Sequence, residues 1–331
     1  MKKNIAILMG GYSSEFDVSI NSGNVVYKHI DREAYNPYRV HITKEQWFYV
    51  DDQNITHPID RNDFSILIAG NKITFDAAFN TVHGTPGEDG LLQAYFRLLR
   101  IPQTSCDFYQ AALSFNKRDC ISTLKPYGIP TASNYFLNQG DPIDPEAIIK
   151  AVGLPCFVKA NKAGSSYGIS KVKKLSELLP AIEYAYKEDD EIIIESFLSG
   201  TEVSVGVINF NGEDIVLPIT EIVSHNEFFD YEAKYLGQSE EITPARLSEE
   251  DTEKVKKLAL KVYQTLKMKG FSRSEYIFHN GEPHFLELNT NPGLSEASIL
   301  PQQALKAGIS LQELFTNVIE ACISKPAWSE I

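Results

Sequence analysis

Residues 4–20 read NIAILMGGYSSEFDVSI, and this stretch indicates how the chain begins to fold. The apolar run Ile5–Met9 predicts a short buried strand, and the glycines that follow it predict a turn. Ser13 or Ser14 can cap a following helix that continues to about His29. Because a strand followed at once by a helix is the repeating unit of parallel sheets, an α/β domain is predicted at the N-terminus.

The same opening argues against two other classes of protein. Its apolar run is shorter than the ~7–15 residues of a signal-peptide core, and no small-residue cleavage site follows, so we expect no secretion signal. The strand and helix lack the G-x-G-x-x-G fingerprint of a dinucleotide-dependent dehydrogenase. No stretch approaches the ~18 apolar residues that span a bilayer, so we expect no membrane partner.

Composition and charge narrow the partners further. The 331 residues include 31 Lys and Arg against 44 Asp and Glu, which gives a net charge of −13. Because a protein that binds the nucleic-acid backbone needs a surplus of cations, we expect no nucleic-acid partner. The four cysteines have neither metal-ligand nor C-x-x-C spacing, which is typical of free thiols in a reducing compartment. We therefore expect a cytoplasmic protein.

The periodicity of apolar residues divides the chain into three predicted domains. Residues 1–104 form an N-terminal α/β domain, and residues 105–194 and 195–331 form central and C-terminal α+β domains. The same pattern predicts helices near 108–125 and 248–267 and a strand at 214–222. Residues 225–247 are long for a connection in a compact domain and include four aromatic residues. We predict that this segment is a lid over a site; a mobile surface loop is the alternative.

A loop of small residues follows a predicted strand near the middle of the chain. Residues 161–168 read NKAGSSYG, and small side chains let backbone amides approach a phosphate. Taken alone, such a loop is more often a hairpin turn. Lys159 favours the phosphate-binding interpretation, since an ammonium group at the end of a buried strand needs a partner and a triphosphate would supply one.

Oxygen ligands are spaced along the last predicted hairpin. Glu287 and Asn289 point to the same face of an extended strand, one pleat apart. Ligands of this kind suit Mg2+, which completes its coordination with phosphate oxygens and water. A solvated strand face is the alternative. It is disfavoured because Glu195, Glu202 and Glu275 also lie on or beside apolar runs, where an unpaired carboxylate is costly to desolvate.

The register of this hairpin decides whether Glu275 and Glu287 share a face. Asn280-Gly281 suggests a two-residue type I′ turn. Without a bulge, that turn places Glu275 opposite Leu286 and facing away from Glu287. We therefore predict a three-residue loop, His279–Gly281, or another bulge that shifts the register. The three-residue loop would pair Arg273 with Glu287, so that Arg273, Glu275, Glu287 and Asn289 share one face.

Residues 83–94, HGTPGEDGLLQA, form a turn-rich segment in which Glu88 and Asp89 can cap the following helix. The segment is also a specific signature of the D-alanine:D-alanine ligase family of ATP-grasp enzymes. Three further segments match this family in the same order: GGYSSEFDVS at 10–19, FDYEAKYL at 229–236, and an Arg-x-acid at 273–275 followed by ELNTNPG at 287–293. The chain thus resembles the family from Asn4 to about Cys322.

The resemblance implies a three-domain ATP-grasp fold, with ATP held between the second and third domains. It implies an ADP-forming ligase that joins two D-alanines through an acyl phosphate and serves peptidoglycan precursor synthesis. It also implies two Mg2+ ions, for which Mn2+ can substitute, and a homodimer in a bacterial cytoplasm.

Roles for individual residues follow from the resemblance alone. The nucleotide would be held by Lys117, Lys159, Ser165, Ser166, Glu195, Phe197, Leu198, Glu202 and Lys234. The metal ions would be held by Glu275, Glu287 and Asn289. The first D-alanine would be bound by Glu15 and His83, and the second by Ser298 and Ile299. The groups that act in the reaction would be Glu15, Ser165, Tyr235, Arg273 and the amide of Gly293.

The chain departs from the family pattern at three places, and two other functions remain compatible with its sequence. Ala163 stands where relatives often carry Glu, Tyr167 replaces a small aliphatic residue, and Ser274-Glu275 replaces an aliphatic residue and Asp. One rival is a nucleotide-binding scaffold without catalysis. The other is a related ligase that takes D-lactate or D-serine as its second substrate.

Overall fold

The N-terminal part of the chain forms a seven-stranded sheet. The computed structural model describes residues 2–162, 164, 168–224 and 239–325. The strands of the first sheet lie in the order β6-β5-β4-β3-β2-β1-β7. They are β1 (Lys3–Gly10), β2 (Tyr35–Ile42), β3 (Trp47–Val50), β4 (Thr56–Asp60), β5 (Ser65–Ile68), β6 (Asn71–Ile73) and β7 (Ala77–Asn80).

The pairing in this sheet confirms the predicted α/β class but limits its parallel part. Strand β1 pairs in parallel with β2 and β7, and α1 (Phe16–His29) lies between β1 and β2 in the chain. The remaining pairs are antiparallel, since the short turns between β2 and β6 cannot make a crossover. The predicted helix cap is wrong: Glu15 is the N-cap, and Ser13 Oγ donates to the carbonyl of His83 at 3.0 Å.

The middle of the chain forms a four-stranded antiparallel sheet in the order β10-β9-β11-β8. One predicted helix at 108–125 is in fact two helices, because Asn116 leaves the helical conformation and its side chain accepts from the amide of Asp119 at 3.0 Å. The strands are β8 (Asn134–Asn138), β9 (Cys156–Ala160), β10 (Ser170–Val172) and β11 (Glu191–Ser196). The helices are α2 (Leu91–Leu99), α3 (Phe108–Phe115), α4 (Lys117–Leu124), α5 (Pro145–Val152) and α6 (Leu178–Ala185).

The last part of the chain forms a six-stranded sheet in the order β15-β14-β12-β16-β17, with β13 paired to β12. A predicted strand at 214–222 is two strands in the structure. The strands are β12 (Gly200–Phe210), β13 (Glu213–Val216), β14 (Thr220–Ser224), β15 (Ser239–Ile242), β16 (Phe271–His279) and β17 (Glu282–Asn289). The helices are α7 (Glu249–Thr265), α8 (Ile299–Lys306) and α9 (Leu311–Ser324).

The hairpin of β16 and β17 has the two-residue turn, so the predicted three-residue loop is wrong. Asn280 and Gly281 both have positive φ, 53° and 80°, and His279 pairs directly with Glu282. The predicted alternative, a bulge elsewhere, is confirmed: the register shifts between Glu275 and Tyr276. Leu286 is the extra residue, because Glu275 pairs with Glu287 while Tyr276 pairs with Phe285.

The segment predicted to be a lid has two parts. Residues 225–238 lie outside the described residues. From residue 239 onward the chain is not a free loop, because β15 pairs with β14 and Arg246 binds Glu221. The Nε and Nη2 atoms of Arg246 donate to both oxygens of Glu221 at 2.8 and 2.7 Å. The proposed role of the lid stays a prediction.

One apolar core joins the first and third sheets. Helix α9 packs against β7 and α1, with the rings of Phe79 and Phe315 5.5 Å apart in an edge-to-face arrangement. Ile5, Phe271 and Val318 belong to the same cluster of buried side chains. The described part of the chain contains no helix that is long and apolar enough to cross a membrane.

Candidate active site

A cavity of about 850 Å3 lies where the three sheets meet. Its walls contain every predicted site residue that the structure describes. These are Glu15, His83, Lys117, Lys159, Glu195, Phe197, Leu198, Glu202, Arg273, Glu275, Glu287, Asn289, Gly293, Ser298 and Ile299. Ser165, Ser166, Lys234 and Tyr235 lie outside the described residues.

Lys159 on β9 and Glu195 on β11 form an ion pair inside the cavity. Their Nζ and Oε2 atoms are 2.8 Å apart, and the two side chains keep 17% and 5% of their exposure. Burial opposes the charge on Lys159, but the attraction of Glu195 and further carboxylates outweighs it and raises the pKa of Lys159. Because Glu195 already pairs with Lys159, the ammonium group does not need a phosphate as its partner.

Two aromatic rings line the cavity beside this pair. The ring centroids of Phe157 and Phe197 are 6.0 Å apart, and Lys171 Nζ lies 4.2 Å from the centre of Phe197. Leu198 and Ile277 add apolar surface to the same wall. An apolar slot between strands with charged groups at one end can accept a flat base and hold its phosphates.

The four polar residues predicted for the hairpin face the cavity together. Because of the bulge, Arg273 pairs with Asn289 and Glu275 pairs with Glu287 across the two strands. Residues that oppose each other share a face. The predicted pairing of Arg273 with Glu287 is wrong, because Arg273 pairs with the residue two positions further along β17. The predicted common face is confirmed, since all four side chains line the cavity.

Two of these residues also bind each other. Arg273 Nη2 donates to Oε1 of Glu275 at 2.9 Å, and their side chains are only 15% and 7% exposed. Glu287 Oε2 lies 3.6 Å from Nζ of Lys117, the first residue of α4. Each of the two carboxylates thus lies beside a cation, which limits the charge repulsion between them.

The oxygens of Glu275, Glu287 and Asn289 fit a hard cation that keeps phosphate and water ligands. In the part of the chain that the structure describes, no three Asp, Glu, His or Cys side chains surround one point that could hold an ion. A site that depends on a substrate for part of its coordination agrees with both observations, because the protein supplies two carboxylates and one amide oxygen only.

Glu15 and His83 lie at the end of the cavity nearest the first sheet. Burial lowers the pKa of His83 and the charge of Glu15 opposes this, so burial keeps the imidazole neutral. Its Nε2 atom lies 3.4 Å from the hydroxyl of Ser22. A Cβ atom on Gly164 would lie 3.0 Å from Glu15 Oε2, so the backbone at Gly164 approaches this end of the cavity closely.

Gly293, Ser298 and Ile299 form another wall, where α8 begins. Ser298 is the N-cap residue but makes no capping hydrogen bond with its side chain; its hydroxyl lies 2.7 Å from that of Ser295. A Cβ atom on Gly293 would lie 2.9 Å from Ser298 Oγ, so only glycine fits there without displacing that hydroxyl. Backbone amides at a helix N-terminus suit a carboxylate.

Comparison with known proteins agrees with this geometry over nearly the whole chain. The family description "D-ala D-ala ligase N-terminus" matches residues 4–106, and "D-ala D-ala ligase C-terminus" matches residues 123–320. The chain belongs to the D-alanine–D-alanine ligase family.

Two curated members of the D-alanine–D-alanine ligase family are very similar to this chain. The protein from Christiangramia forsetii is 63% identical and that from Flavobacterium johnsoniae 66%, with 98% and 97% of this chain and all of each relative covered.

Two solved structures share the fold. The VanG D-Ala:D-Ser ligase from Enterococcus faecalis is 30% identical with a TM-score of 0.84, over 97% of this chain and 99% of that one. The Bacillus anthracis D-alanine–D-alanine ligase complexed with ATP is 27% identical with a TM-score of 0.79, over 99% and 100%.

The family site in this chain includes charged residues that sequence reasoning missed. Glu88 is buried and lines the cavity, although the sequence suggested a helix cap for it; Gly90 is the N-cap of α2. Glu221, Glu241 and Arg246 also line the cavity. The position of Glu88 inside the family segment HGTPGEDG could have indicated that it lies in the cavity. The other three lie on or beside strands whose pairing only the structure reveals.

Proposed function

We propose that this chain joins two D-alanine molecules into D-alanyl-D-alanine and converts ATP to ADP and phosphate. The observation that carries the proposal is the single cavity in which all the described site residues of a D-alanine–D-alanine ligase meet. The curated relatives that are 63% and 66% identical bear the same enzyme name.

The wall around β9, β11 and β12 holds ATP in this proposal. The apolar slot of Phe157, Phe197 and Leu198 takes the adenine ring, and Glu202 accepts from the ribose hydroxyls. Lys159 and Lys117 face the phosphates, and each lies near a carboxylate, Glu195 at 2.8 Å and Glu287 at 3.6 Å respectively. The serines at 165 and 166 and Lys234 complete the phosphate site in the proposal.

We propose two Mg2+ ions for Glu275, Glu287 and Asn289, with Mn2+ as a substitute. When bound, the ions neutralise phosphate charge that would otherwise repel a carboxylate. Glu275 offers this site one carboxylate whose other partner is Arg273 at 2.9 Å, so the pair holds the side chain in place. The longer side chain of Glu, in place of the usual Asp, reaches the same face because the bulge at Leu286 sets the register.

Glu15 and His83 hold the first D-alanine, whose carboxylate attacks the γ-phosphorus of ATP; the bond to the β-phosphate oxygen breaks, ADP leaves, and the carboxylate becomes an acyl phosphate. The amine of the second D-alanine then attacks the acyl carbon, with its own carboxylate on Ser298 and Ile299. Arg273 and the amide of Gly293 donate to the tetrahedral oxyanion, and phosphate leaves. Ser165 and Tyr235 join Glu15 near the reacting groups in this proposal.

Because water would hydrolyse an acyl phosphate, the reaction needs a closed cavity. The predicted lid at 225–247 meets this need in the proposal, with Arg246 fixing its C-terminal end. We also propose the division into domains at 104 and 194, a homodimer, a cytoplasmic setting, and a role in peptidoglycan precursor synthesis.

Phosphate release from ATP tests the proposal. The protein is assayed with Mg2+ and with D-alanine, D-lactate or D-serine, singly and in pairs. We expect release that depends on both Mg2+ and D-alanine, with D-alanyl-D-alanine as the product. Equal release with and without D-alanine would exclude ligation. A clear preference for a mixed pair would assign the chain to the rival ligases instead.

A further inference from the structure

Glu88 is a buried carboxyl group at the substrate end of the cavity to which the proposed reaction gives no task. It is 7% exposed and lines the cavity together with Glu15 and His83. Its Oε2 atom accepts from the backbone amide of Gly84 at 2.7 Å. A buried carboxyl group is costly to desolvate, so its place beside Glu15 calls for an explanation.

The hydrogen bond of Glu88 closes a tight turn that carries His83. The carbonyl of Gly84 accepts from the amides of Gly87 and Glu88, both at 2.8 Å, while its own amide donates to the Glu88 side chain. Gly84 has a φ of +63°. The side chain therefore fixes the peptide that joins His83 to Gly84, one bond from the Cα atom of His83.

The other contacts of His83 depend on the same peptide. Its carbonyl accepts from Ser13 Oγ at 3.0 Å, and its Nε2 atom lies 3.4 Å from Ser22 Oγ. Rotation of the His83–Gly84 peptide would move its carbonyl away from Ser13 Oγ, and a shift of the turn would also move the Cα atom from which the His83 side chain leaves. Glu88 is the group that holds this peptide from the cavity side.

We propose that Glu88 is a positioning residue of the ligase, which aims His83 at the first D-alanine by holding the amide of Gly84 with an acceptor that needs no negative charge. The role of His83 rests on the proposed function. Glu88 acts on the substrate indirectly, by fixing the turn that carries His83.

The surroundings of Glu88 favour its uncharged form. Burial, followed by the charge of Glu15, raises the pKa of Glu88 to about 8. Glu287 on β17 acts in the same direction, whereas the Gly84 amide and Arg273 on β16 oppose it, and the buried thiol of Cys106 lies on another side. Since Oε2 accepts from Gly84, the proton of the neutral acid belongs on Oε1. The neutral form of Glu88 places no second negative charge beside Glu15, to which the proposed function assigns the substrate ammonium group.

Two substitutions distinguish the role of Glu88 as a hydrogen-bond acceptor from the role of its charge. Glu88→Gln keeps a carbonyl oxygen at the same distance from Cα and removes the ionisation; Glu88→Ala removes both. We expect E88Q to retain kcat/KM for D-alanine within about twofold and E88A to lose about tenfold or more, mainly through KM for the first D-alanine. KM for ATP should be unchanged. Asp89→Asn is the matched control, because Asp89 only accepts from the amide of Leu91 at 3.1 Å.

A second readout does not depend on activity. The imidazole NMR signals of the seven histidines are recorded for each variant, with His83 assigned by its own substitution. We expect the His83 signal to move in E88A and to match the wild type in E88Q and D89N. Thermal unfolding of each variant shows that the fold is kept.

Several results would overturn the inference. They are wild-type kinetics in E88A, a loss in E88Q as large as in E88A, or an unmoved His83 signal in an impaired E88A. Wild-type protein without D-alanine-dependent phosphate release would instead contradict the proposed function, and the His83 signals would still test the positioning role.

Discussion

Lys159 and Glu195 show how two charges are kept inside the cavity. Lys159→Met leaves the carboxylate of Glu195 buried without its partner, 5% exposed. We expect the free energy of unfolding to fall by about 3 kcal/mol, measured by chemical denaturation. Lys159→Met with Glu195→Gln should recover most of this stability, because no buried charge remains unpaired.

Measurement of ATP affinity distinguishes the contribution of this pair to stability from the contribution of Lys159 to phosphate binding. The double variant should bind ATP as weakly as the single one, since the phosphates lose Lys159 in both. Wild-type stability in Lys159→Met would contradict the structural task, and wild-type ATP affinity in the double variant would contradict the nucleotide site.

Glu88 makes stability depend on pH. Its pKa is raised from 4.5 to about 8 in the folded protein, so the folded state holds a proton that the unfolded state has lost between these values. The free energy of unfolding therefore decreases as pH rises through this window, and the loss is complete above the folded pKa.

Glu88→Gln removes this loss, since Gln does not ionise. We expect the unfolding temperature of the variant, relative to wild type, to rise between pH 5 and pH 8 and to level off above that. Asp89→Asn removes a partly exposed carboxyl group next to this turn and serves as the control for the substitution itself. A constant difference between E88Q and wild type over this range would contradict the assignment.

The hairpin of β16 and β17 shows what adjacent residues do and do not decide about an element. Asn280 and Gly281 specify the two-residue turn, because both adopt positive φ. The bulge at Leu286 has no comparable local signal. It depends on how β17 packs against the cavity and the core on its two faces, which is a property of the whole sheet.

Substitution at the turn tests its conformation. Asn280→Ala should lower the free energy of unfolding by about 1 kcal/mol, since a Cβ residue other than Asn is strained at a φ of 53°. Asn280→Gly is the control and should match the wild type within a few tenths of a kcal/mol. Equal losses in both would mean that the Asn side chain, not its φ, supports the turn.

Other secondary-structure elements were not predicted because their apolar residues are not regularly spaced. Strand β4 reads THPID, contains Pro58 and buries one residue only, Ile59. Although β4 lies inside the sheet between β3 and β5, its short and mostly polar sequence carries a weak alternation and little apolar content. Helix α7, in contrast, has 17 residues, an acidic first turn and a serine N-cap, and it was predicted nearly to the residue.

The whole molecule depends on the core shared by the first and third sheets. Phe315 is fully buried in that core against Phe79. Phe315→Ala should lower the free energy of unfolding by about 3–5 kcal/mol. Leu305→Ala on α8, where the side chain is 52% exposed, should stay within about 0.5 kcal/mol.

The shared core also predicts how the ends of the chain unfold. Hydrogen exchange in β1 and in α9 should accelerate together in Phe315→Ala, since both elements border the same cluster. Faster exchange in α9 alone would mean that the first sheet is stable without it.

The sequence by itself determined the features that neighbouring residues encode. These include the first βα unit, the turn at Asn280-Gly281, and the ordered segments that identify the family. It also sufficed to name many of the cavity residues, since these lie in one of those segments or beside an apolar run, but it missed Glu88, Glu221, Glu241 and Arg246. Local periodicity and turn chemistry act over a few residues, so they can be recognised along the chain.

Only the tertiary structure decided which of these residues meet. Lys159 pairs with Glu195 across 36 positions of the chain, and Glu88 faces a cavity instead of capping α2. The bulge at Leu286 brings Glu275 and Glu287 onto one face. Each outcome depends on burial and on partners that are distant in sequence, because the cost of an isolated buried charge is settled only when the sheets pack together.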